Sequence, residues 1–150
     1  MRIWALIPAA GSGTRFGGDV PKQYLNLAGK TVIEHSIEKI AAVTDILGIV
    51  IVLAPGDMLF QRLCSASLKD VKITYAIGGV DRSSSVLNGL YSLSGLALEE
   101  DWVLVHDSVR PCIRMNDIMR LISSVSDDSV GGLLGCPVTD TLKYCLLYTS

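Results

Sequence analysis

The sequence predicts a single α/β domain of three layers, a mostly parallel sheet with helices on both faces. Short apolar runs alternate with segments of helical periodicity along the 150 residues, which is typical of a parallel sheet with crossover helices. The run GIVIVL at residues 48–53 is unbroken and rich in β-branched side chains, as expected for a strand buried on both faces. The spacing of Ile33, Ile37 and Ile40 predicts an amphipathic helix.

Each element in turn has its own signal. A short apolar run predicts a strand at residues 3–7, which ends in a glycine-rich loop, and Thr31 with Glu34 three residues later has the capping-box pattern of a helix start. Later elements follow from apolar runs and helical spacings separated by turn residues. In chain order they are a strand at 48–53, a helix at about 57–67, a strand at 71–76, a helix at about 84–93, a strand at 102–105, a helix at about 116–125 and a strand at 131–138.

Composition excludes several classes of function. The formal net charge of −2 gives no electrostatic footprint for nucleic acid, and no run approaches the roughly 18 apolar residues of a membrane span. The four cysteines form no C-x-x-C pair, and two histidines are too few for a histidine-built metal site. The first apolar run breaks at Pro8, which is too early for a signal peptide. We therefore expect a cytoplasmic protein with reduced thiols, no nucleic acid and no membrane partner.

The glycine-rich stretch at residues 7–25 does not fit two familiar phosphate-binding loops. A dinucleotide fingerprint needs a third glycine where Phe16 stands and an acid after the second strand, where Ala54 stands. A P-loop ending at Thr31 would need a glycine in place of Tyr24 and a strand leading into it. Both patterns fail, so a nicotinamide-dependent oxidoreductase is disfavoured.

A third interpretation rests on what these residues do physically. Ala9, Ala10, Gly11 and Gly13 have little or no side chain, so that backbone N–H groups can approach an anion closely. Arg15 and Lys22 would add two positive charges, the first able to bridge two oxygens and the second acting as a mobile point charge. This set suits a triphosphate that undergoes substitution, where charge develops on oxygen atoms. Because the loops after the first, third and fourth long strands leave the same edge of the sheet, we expect them to converge on one pocket.

Four motifs together carry a resemblance to a known family. The stretches PAAGSGTRFGGDVPKQYL, GGVDRSSSV, VHDSVRP and PVTDTLK, in this order, resemble the sugar-phosphate cytidylyltransferases, most of all the 2-C-methyl-D-erythritol 4-phosphate cytidylyltransferase family, over residues 3–143. The resemblance implies a Rossmann-like sheet of the nucleotide-diphospho-sugar transferase type. It also implies transfer of CMP from CTP to the sugar-alcohol phosphate with release of pyrophosphate, dependence on Mg²⁺ and a homodimer.

The resemblance also assigns roles by position. Arg15 and Lys22 match the two positively charged catalytic residues that stabilise the transition state. The positions that match CTP-binding residues are Ala9, Ala10, Gly11, Gly13, Gly79, Ser85 and Ser108. Asp107 matches the acid near the magnesium ion and the second substrate, and Thr141 a threonine near the sugar phosphate, contributed across a dimer interface.

Other interpretations stay open for several of these residues. Asp107 could cap a turn, Arg82 and Arg110 could organise loops without touching a ligand, and the serine run at residues 83–85 could cap a helix. Val80 stands where some family members carry an acid, so that base recognition through that acid is in doubt. Val109 is typical of the ribitol-5-phosphate cytidylyltransferases, the runner-up family, and a third alternative is an inactive CTP-binding fragment.

The last six residues break the family pattern. CLLYTS at residues 145–150 can be encoded as TGT CTC TTA TAC ACA TCT, the transposon end used as a sequencing adapter. We therefore expect residues 1–144 to be an incomplete nucleotidyltransferase domain, residues 145–150 to be a non-native tail and the natural protein to be longer. We also expect this chain itself to be weak or inactive, and its sheet to have an unpaired edge.

Overall fold

Two apolar runs form the centre of the sheet in the computed structural model, which describes residues 1–11, 20–64 and 68–139. Within these ranges the strands are β1 (Ile3–Pro8), β2 (Asn26–Leu27), β3 (Lys30–Thr31), β4 (Ile46–Leu53), β5 (Ile73–Ile77) and β6 (Trp102–Val105). The helices are α1 (Val32–Ala41), α2 (Leu59–Cys64), α3 (Arg82–Ser92) and α4 (Met115–Ser124), with a short 3-10 helix at Lys22–Tyr24. None of these helices is long and apolar enough to cross a lipid bilayer.

The four long strands pair in parallel in the order β5-β4-β1-β6. Leu6 in β1 pairs with Val50 of β4 on one side and with Val105 of β6 on the other. The chain thus runs outward from β1 to β4 and β5, and then returns to place β6 on the far side of β1. Such a reversal of strand order opens a crevice at the carboxyl ends of the two strands, where ligands bind in sheets of this class.

Side chains of the central strands alternate between the two faces of the sheet, and each face has its own core. The core under α1, α2 and α4 contains Ala5, Ile7, Ile33, Ile37, Ile40, Ile49, Ile51, Phe60 and Ile118. The core on the opposite face, where α3 packs, contains Trp4, Leu6, Val50, Val52, Val86 and Leu93. Helices on both faces of a parallel sheet confirm the predicted three-layer α/β class.

Two local structures precede and begin α1, and the sequence predicted only one of them. The predicted capping box is confirmed, because the Thr31 N–H donates to Glu34 Oε2 over 2.6 Å and the Glu34 N–H donates to Thr31 Oγ1 over 3.4 Å. The antiparallel hairpin of β2 and β3 was not predicted. Its turn holds Ala28 and Gly29 at φ angles of 51° and 90°, the left-handed conformations that a two-residue hairpin turn needs.

The strand predicted at residues 131–138 is wrong. Residues 131–139 form no strand, and a cleft of about 1060 Å³ is lined by Gly131–Leu134 on one side and by Trp102–Val105 of β6 on the other. We call this space the β6 cleft. The apolar run suggested a buried strand, but its large side chains are exposed, with Leu133 at 84% and Val138 at 63%, and among the described residues it pairs with no strand. Within the described residues, β6 is therefore an edge strand of the parallel sheet.

A cluster of polar contacts fixes the amino-terminal edge of the sheet. The carboxylate of Asp101, whose side chain is 2% exposed, accepts from Arg2 Nε over 2.7 Å, from Trp4 Nε1 over 3.1 Å and from the Leu98 N–H over 3.0 Å. Lys72, which precedes β5, places its Nζ 5.3 Å from the centre of the Trp4 ring of β1, within the range of a cation–π contact. The start of β1 is thereby tied to the residue that precedes β6.

Asp101→Asn is expected to lower the melting temperature at neutral pH, because three donors would then face a neutral amide. The hydrogen bond from Arg2 holds the pKa of the Asp101 carboxyl below its usual range. The stabilisation from this carboxylate is therefore complete above the unfolded-state pKa of about 3.9 and is lost as the pH falls through the folded-state value. Thermal unfolding of both proteins across this range should show the difference shrinking in acid. A difference that stays constant with pH would contradict this account.

Candidate functional site

Three loops meet at the carboxyl edge of the sheet and enclose a cavity of about 490 Å³. They follow β1, β5 and β6, and the 3-10 helix completes the wall. The cavity is lined by Pro8, Ala10, Gly11, Lys22, Gln23, Gly79, Val80, Asp81, Arg82, Ser85, Asp107, Ser108 and Val109. We refer to this space as the carboxyl-edge cavity. Its position is the crevice expected from the reversal of strand order between β1 and β6.

The loop after β1 is held from behind by backbone and side-chain hydrogen bonds. The Ala9 N–H donates to the Val52 carbonyl over 2.8 Å, which extends the pairing of β1 with β4 by one residue. Gln23 Nε2 donates to the carbonyls of Ala9 and Gly11 over 2.8 Å and 3.0 Å. Ala9 is buried, so it supports the loop and does not line the cavity.

Lys22 reaches the cavity wall from the first position of the 3-10 helix. Pro21 before it has φ and ψ of −56° and 141°, an extended conformation that is compatible with the φ fixed by the proline ring. The Tyr24 N–H closes the single helical turn on the Pro21 carbonyl over 2.9 Å. The buried Tyr24 ring is anchored by its hydroxyl, which donates to Asp57 Oδ2 over 2.6 Å. Burial, with the neighbouring Asp57 carboxylate, raises the pKa of Tyr24, so it remains a neutral donor.

The loop after β5 approaches the loop after β1 closely because its first residue is glycine. A Cβ added to Gly78 would lie 2.2 Å from the Cβ of Ala10, well inside contact distance. The Gly79 N–H donates to Ser85 Oγ over 3.0 Å, and that hydroxyl donates to the Asp81 carbonyl over 2.8 Å. Ser85 therefore shapes the loop as well as lining the cavity.

The N-terminus of α3 also faces the cavity. Asp81 caps it through Oδ1, which accepts from the Ser84 N–H over 2.7 Å, and the Ser84 hydroxyl completes the capping box at Asp81 N–H. The serine run thus contributes to the cap, but the N-cap residue is Asp81. Helix N-termini favour anions because unpaired N–H groups and the helix dipole both present positive charge.

Asp107 lies between two guanidinium groups in the loop after β6. Oδ1 accepts from Arg82 Nε and Nη2 over 3.1 Å and 2.7 Å, and Oδ2 forms an ion pair with Arg110 Nε at 2.9 Å. Partial burial acts to raise the pKa of this carboxyl, but the hydrogen bond from Arg82 and the charges of both arginines outweigh it and hold the pKa below the usual range. Asp107 therefore links the loop after β6 to the start of α3.

The backbone of this loop is fixed by two further contacts. The buried Ser36 hydroxyl of α1 donates to the Ser108 carbonyl over 3.0 Å. His106 Nε2 donates to the Arg110 carbonyl over 3.0 Å, and the His106 N–H extends the pairing with β1 by donating to the Leu6 carbonyl over 2.9 Å. His106 thus makes local hydrogen bonds, as a structural histidine would.

The structure brings together most of the residues that the sequence singled out. The predicted residues on the cavity wall are Ala10, Gly11, Lys22, Gly79, Ser85, Asp107 and Ser108. Gly13, Arg15 and Thr141 lie outside the described residues, and their predicted roles stay predictions.

Two functional positions were not predicted. Gln23 and Ser36 are buried polar residues whose partners are loop carbonyls. A signal existed for Ser36, since it falls beside Ile37 on the apolar face of a predicted helix. Gln23 lies outside every predicted helix and strand, so that no hydrophobic periodicity indicated that its side chain is buried.

The described residues do not fit a resident magnesium site. No group of three or more His, Cys, Asp or Glu side chains within the described ranges could hold a metal ion. Asp107, the predicted ligand, has both carboxylate oxygens already paired with arginine. Mg²⁺ favours carboxylate oxygens that are available for direct coordination and usually arrives with substrate phosphates.

Comparison with known proteins identifies the family. The family model for 2-C-methyl-D-erythritol 4-phosphate cytidylyltransferase matches residues 3–146. The chain belongs to this family. The enzyme of that name from Pseudomonas fluorescens (strain SBW25) is 47% identical over 142 residues, which cover 94% of this chain and 60% of the relative. The chain thus spans about three fifths of the length of such curated methylerythritol-phosphate cytidylyltransferases.

Solved structures agree with this assignment. A crystal structure of 4-diphosphocytidyl-2C-methyl-D-erythritol synthase superposes with a TM-score of 0.81 at 34% identity, covering 96% of this chain and 63% of that chain. CMP:2-keto-3-deoxy-manno-octonic acid synthetase, solved in complex with CTP, has a TM-score of 0.65 at 19% identity and covers 87% of this chain and 49% of its own. The second similarity shows the fold alone.

Gly78→Ala is expected to lower the free energy of unfolding by about 1–3 kcal/mol, because the added methyl group would overlap Ala10 and force the two loops apart. Gly135→Ala is the matched control, since a Cβ there meets nothing within 4 Å, and it should change stability by less than about 0.5 kcal/mol. Urea unfolding of the two variants and the parent measures both values. Equal stability of the two variants would contradict the close approach of the loops.

Proposed function

We propose that the protein transfers CMP from CTP to 2-C-methyl-D-erythritol 4-phosphate and releases pyrophosphate. The observation that carries the proposal is the carboxyl-edge cavity, where residues from three separate motifs of this family line one space. The cavity is lined by Ala10, Gly11, Lys22 and the first turn of α3. These groups suit an anionic nucleotide.

The proposed reaction is a substitution at phosphorus. An oxygen of the sugar-alcohol phosphate attacks the α-phosphorus of CTP, and the bond from that phosphorus to the bridging oxygen of the β-phosphate breaks. Because the acceptor phosphate is itself the nucleophile, no covalent intermediate on the protein is needed. Lys22 is proposed to offset the charge that develops on the phosphate oxygens, together with Arg15, and the backbone donors hold the nucleotide in line.

The two substrates are proposed to lie on opposite sides of Asp107. We place the ribose and cytosine of CTP near Gly79, Ser85 and Ser108. The β6 cleft shares Arg82 and Asp107 with the carboxyl-edge cavity and adds Arg110. This adjoining space, with arginine at the boundary, is where we place the acceptor phosphate.

Three further features of the proposal rest on the family resemblance. They are dependence on Mg²⁺, a homodimer and a cytoplasmic location. The described residues offer no chelating set of their own, so that we propose no magnesium ligand among them. Ribitol 5-phosphate is the alternative acceptor. Rates of pyrophosphate release from CTP with each of the two acceptors distinguish them.

Thermal unfolding of this chain with Mg²⁺ and each of CTP, UTP, ATP, GTP and NAD tests nucleotide recognition. At about 100 times the dissociation constant a ligand should add roughly 2.7 kcal/mol of stability, which is several degrees in melting temperature for a domain of this size. We expect the largest shift with CTP. A shift with NAD alone would overturn the proposal, and a shift of the same size with all four triphosphates would remove its claim for cytosine.

In the full-length protein, Lys22→Ala is expected to lower turnover far more than it weakens CTP binding. The reason is that the charge of Lys22 is proposed to act mainly in the transition state. The measurement compares kcat from pyrophosphate release with the Kd for CTP from calorimetry. The matched control is Lys30→Ala, whose ammonium pairs with Glu38 on the surface of α1 and should change neither value. Equal losses in kcat and affinity would mean that Lys22 only binds the nucleotide.

A further inference from the structure

Gln23 occupies an unusual position for a buried polar side chain. It is 4% exposed, and its single NH₂ group donates to two backbone carbonyls, those of Ala9 and Gly11. These two acceptors lie on either side of Ala10, which lines the carboxyl-edge cavity. Gln23 thus joins the residues just beyond β1 to the one-turn helix that carries Lys22.

The two hydrogen bonds have a consequence for the electrostatics of the cavity. A carbonyl oxygen that faced a bound anion would repel it, whereas an N–H would attract it. Because the peptide between Ala9 and Ala10 is planar and trans, a carbonyl turned toward Gln23 directs the N–H of Ala10 the opposite way. The amide of Gln23 thereby fixes the orientation of the N–H of Ala10, a residue that lines the cavity as Gln23 also does.

The same contacts restrain Lys22. Gln23 follows Lys22 in a helix of three residues, and the Tyr24 ring on its other side is fixed by Asp57. A displacement of Gln23 from the loop carbonyls would therefore move the backbone of Lys22 as well. One side chain thus links Ala10 and Lys22, two residues of the cavity wall.

We propose that Gln23 is a positioning residue that orients the Ala9–Gly11 backbone and Lys22 for a polyphosphate. The inference rests on the proposed function in that the polyphosphate is taken to be that of a nucleotide. Gln23 acts through its two acceptors and not by contact with the reacting atoms. Its amide is required as a double donor, since an apolar side chain of the same length would fill the space but remove the donor from both carbonyls.

The test uses Gln23→Met, which keeps the length without donors, and Gln23→Asn, which keeps the donors on a shorter stem. Calorimetry with CTP and with inorganic triphosphate gives the affinities, at a temperature where every protein is folded. Asp101→Asn, at the opposite edge of the sheet, is the control for lost stability. We expect Gln23→Met to lower the affinity for both ligands by about tenfold or more. Gln23→Asn should have an intermediate affinity, and Asp101→Asn should bind both ligands with the affinity of the parent. If Gln23→Met fails to fold, Gln23→Asn decides.

An amide spectrum adds a readout that a purely structural role would not move. With each protein saturated by triphosphate, the Ala10 N–H resonance should shift in the parent and should shift less in Gln23→Met. Parent-like affinity in both Gln23 variants would overturn the inference and leave the proposed function intact. Binding of triphosphate without binding of CTP would overturn the proposed function, and the Gln23 variants would still decide the inference. Binding of neither ligand would overturn both.

Discussion

The parallel pairing of β1 with both β4 and β6 is the constraint on which the site depends. It continues one residue beyond the strands on each side, through the Ala9 N–H to Val52 and the His106 N–H to Leu6. Two loops distant in sequence therefore leave the sheet side by side and at the same level. The carboxyl-edge cavity forms between them because the chain reverses its strand order there, and the loop after β5 reaches it across β4.

Beyond the strands, buried polar side chains replace the missing backbone partners. Gln23, Ser36 and Ser85 each bond to the backbone of a loop around the cavity. Buried backbone groups need such partners, and a side chain from a neighbouring helix can supply them without adding a strand. The loops can thus keep the irregular conformations that expose their N–H groups to a ligand and still be held in place by the packed layers below.

Sequence reasoning predicted the parts of this molecule that depend on periodicity and on spacing. The strand at residues 48–53 and the cap at Thr31 follow from local patterns. The family motifs predicted that Lys22 and Asp107 lie at the carboxyl edge of the sheet. The roles of Gln23 and Ser36 depend on partners distant in the chain, and no local pattern encodes them. The run at residues 131–138 was misjudged for a related reason, because an apolar run is buried as a strand only where a partner strand and a covering layer meet it, and here its side chains are exposed.

The network of Arg82, Asp107 and Arg110 differs in kind from these buried contacts. Arg82 is 62% exposed in its side chain and Asp107 27%, and their pairing joins α3 to the loop after β6 where no backbone ladder connects them. Ion pairs at that exposure contribute little and weaken as the salt concentration rises. The link between α3 and the loop after β6 should therefore weaken with rising ionic strength, while the sheet and the neutral hydrogen bonds beneath it keep their geometry.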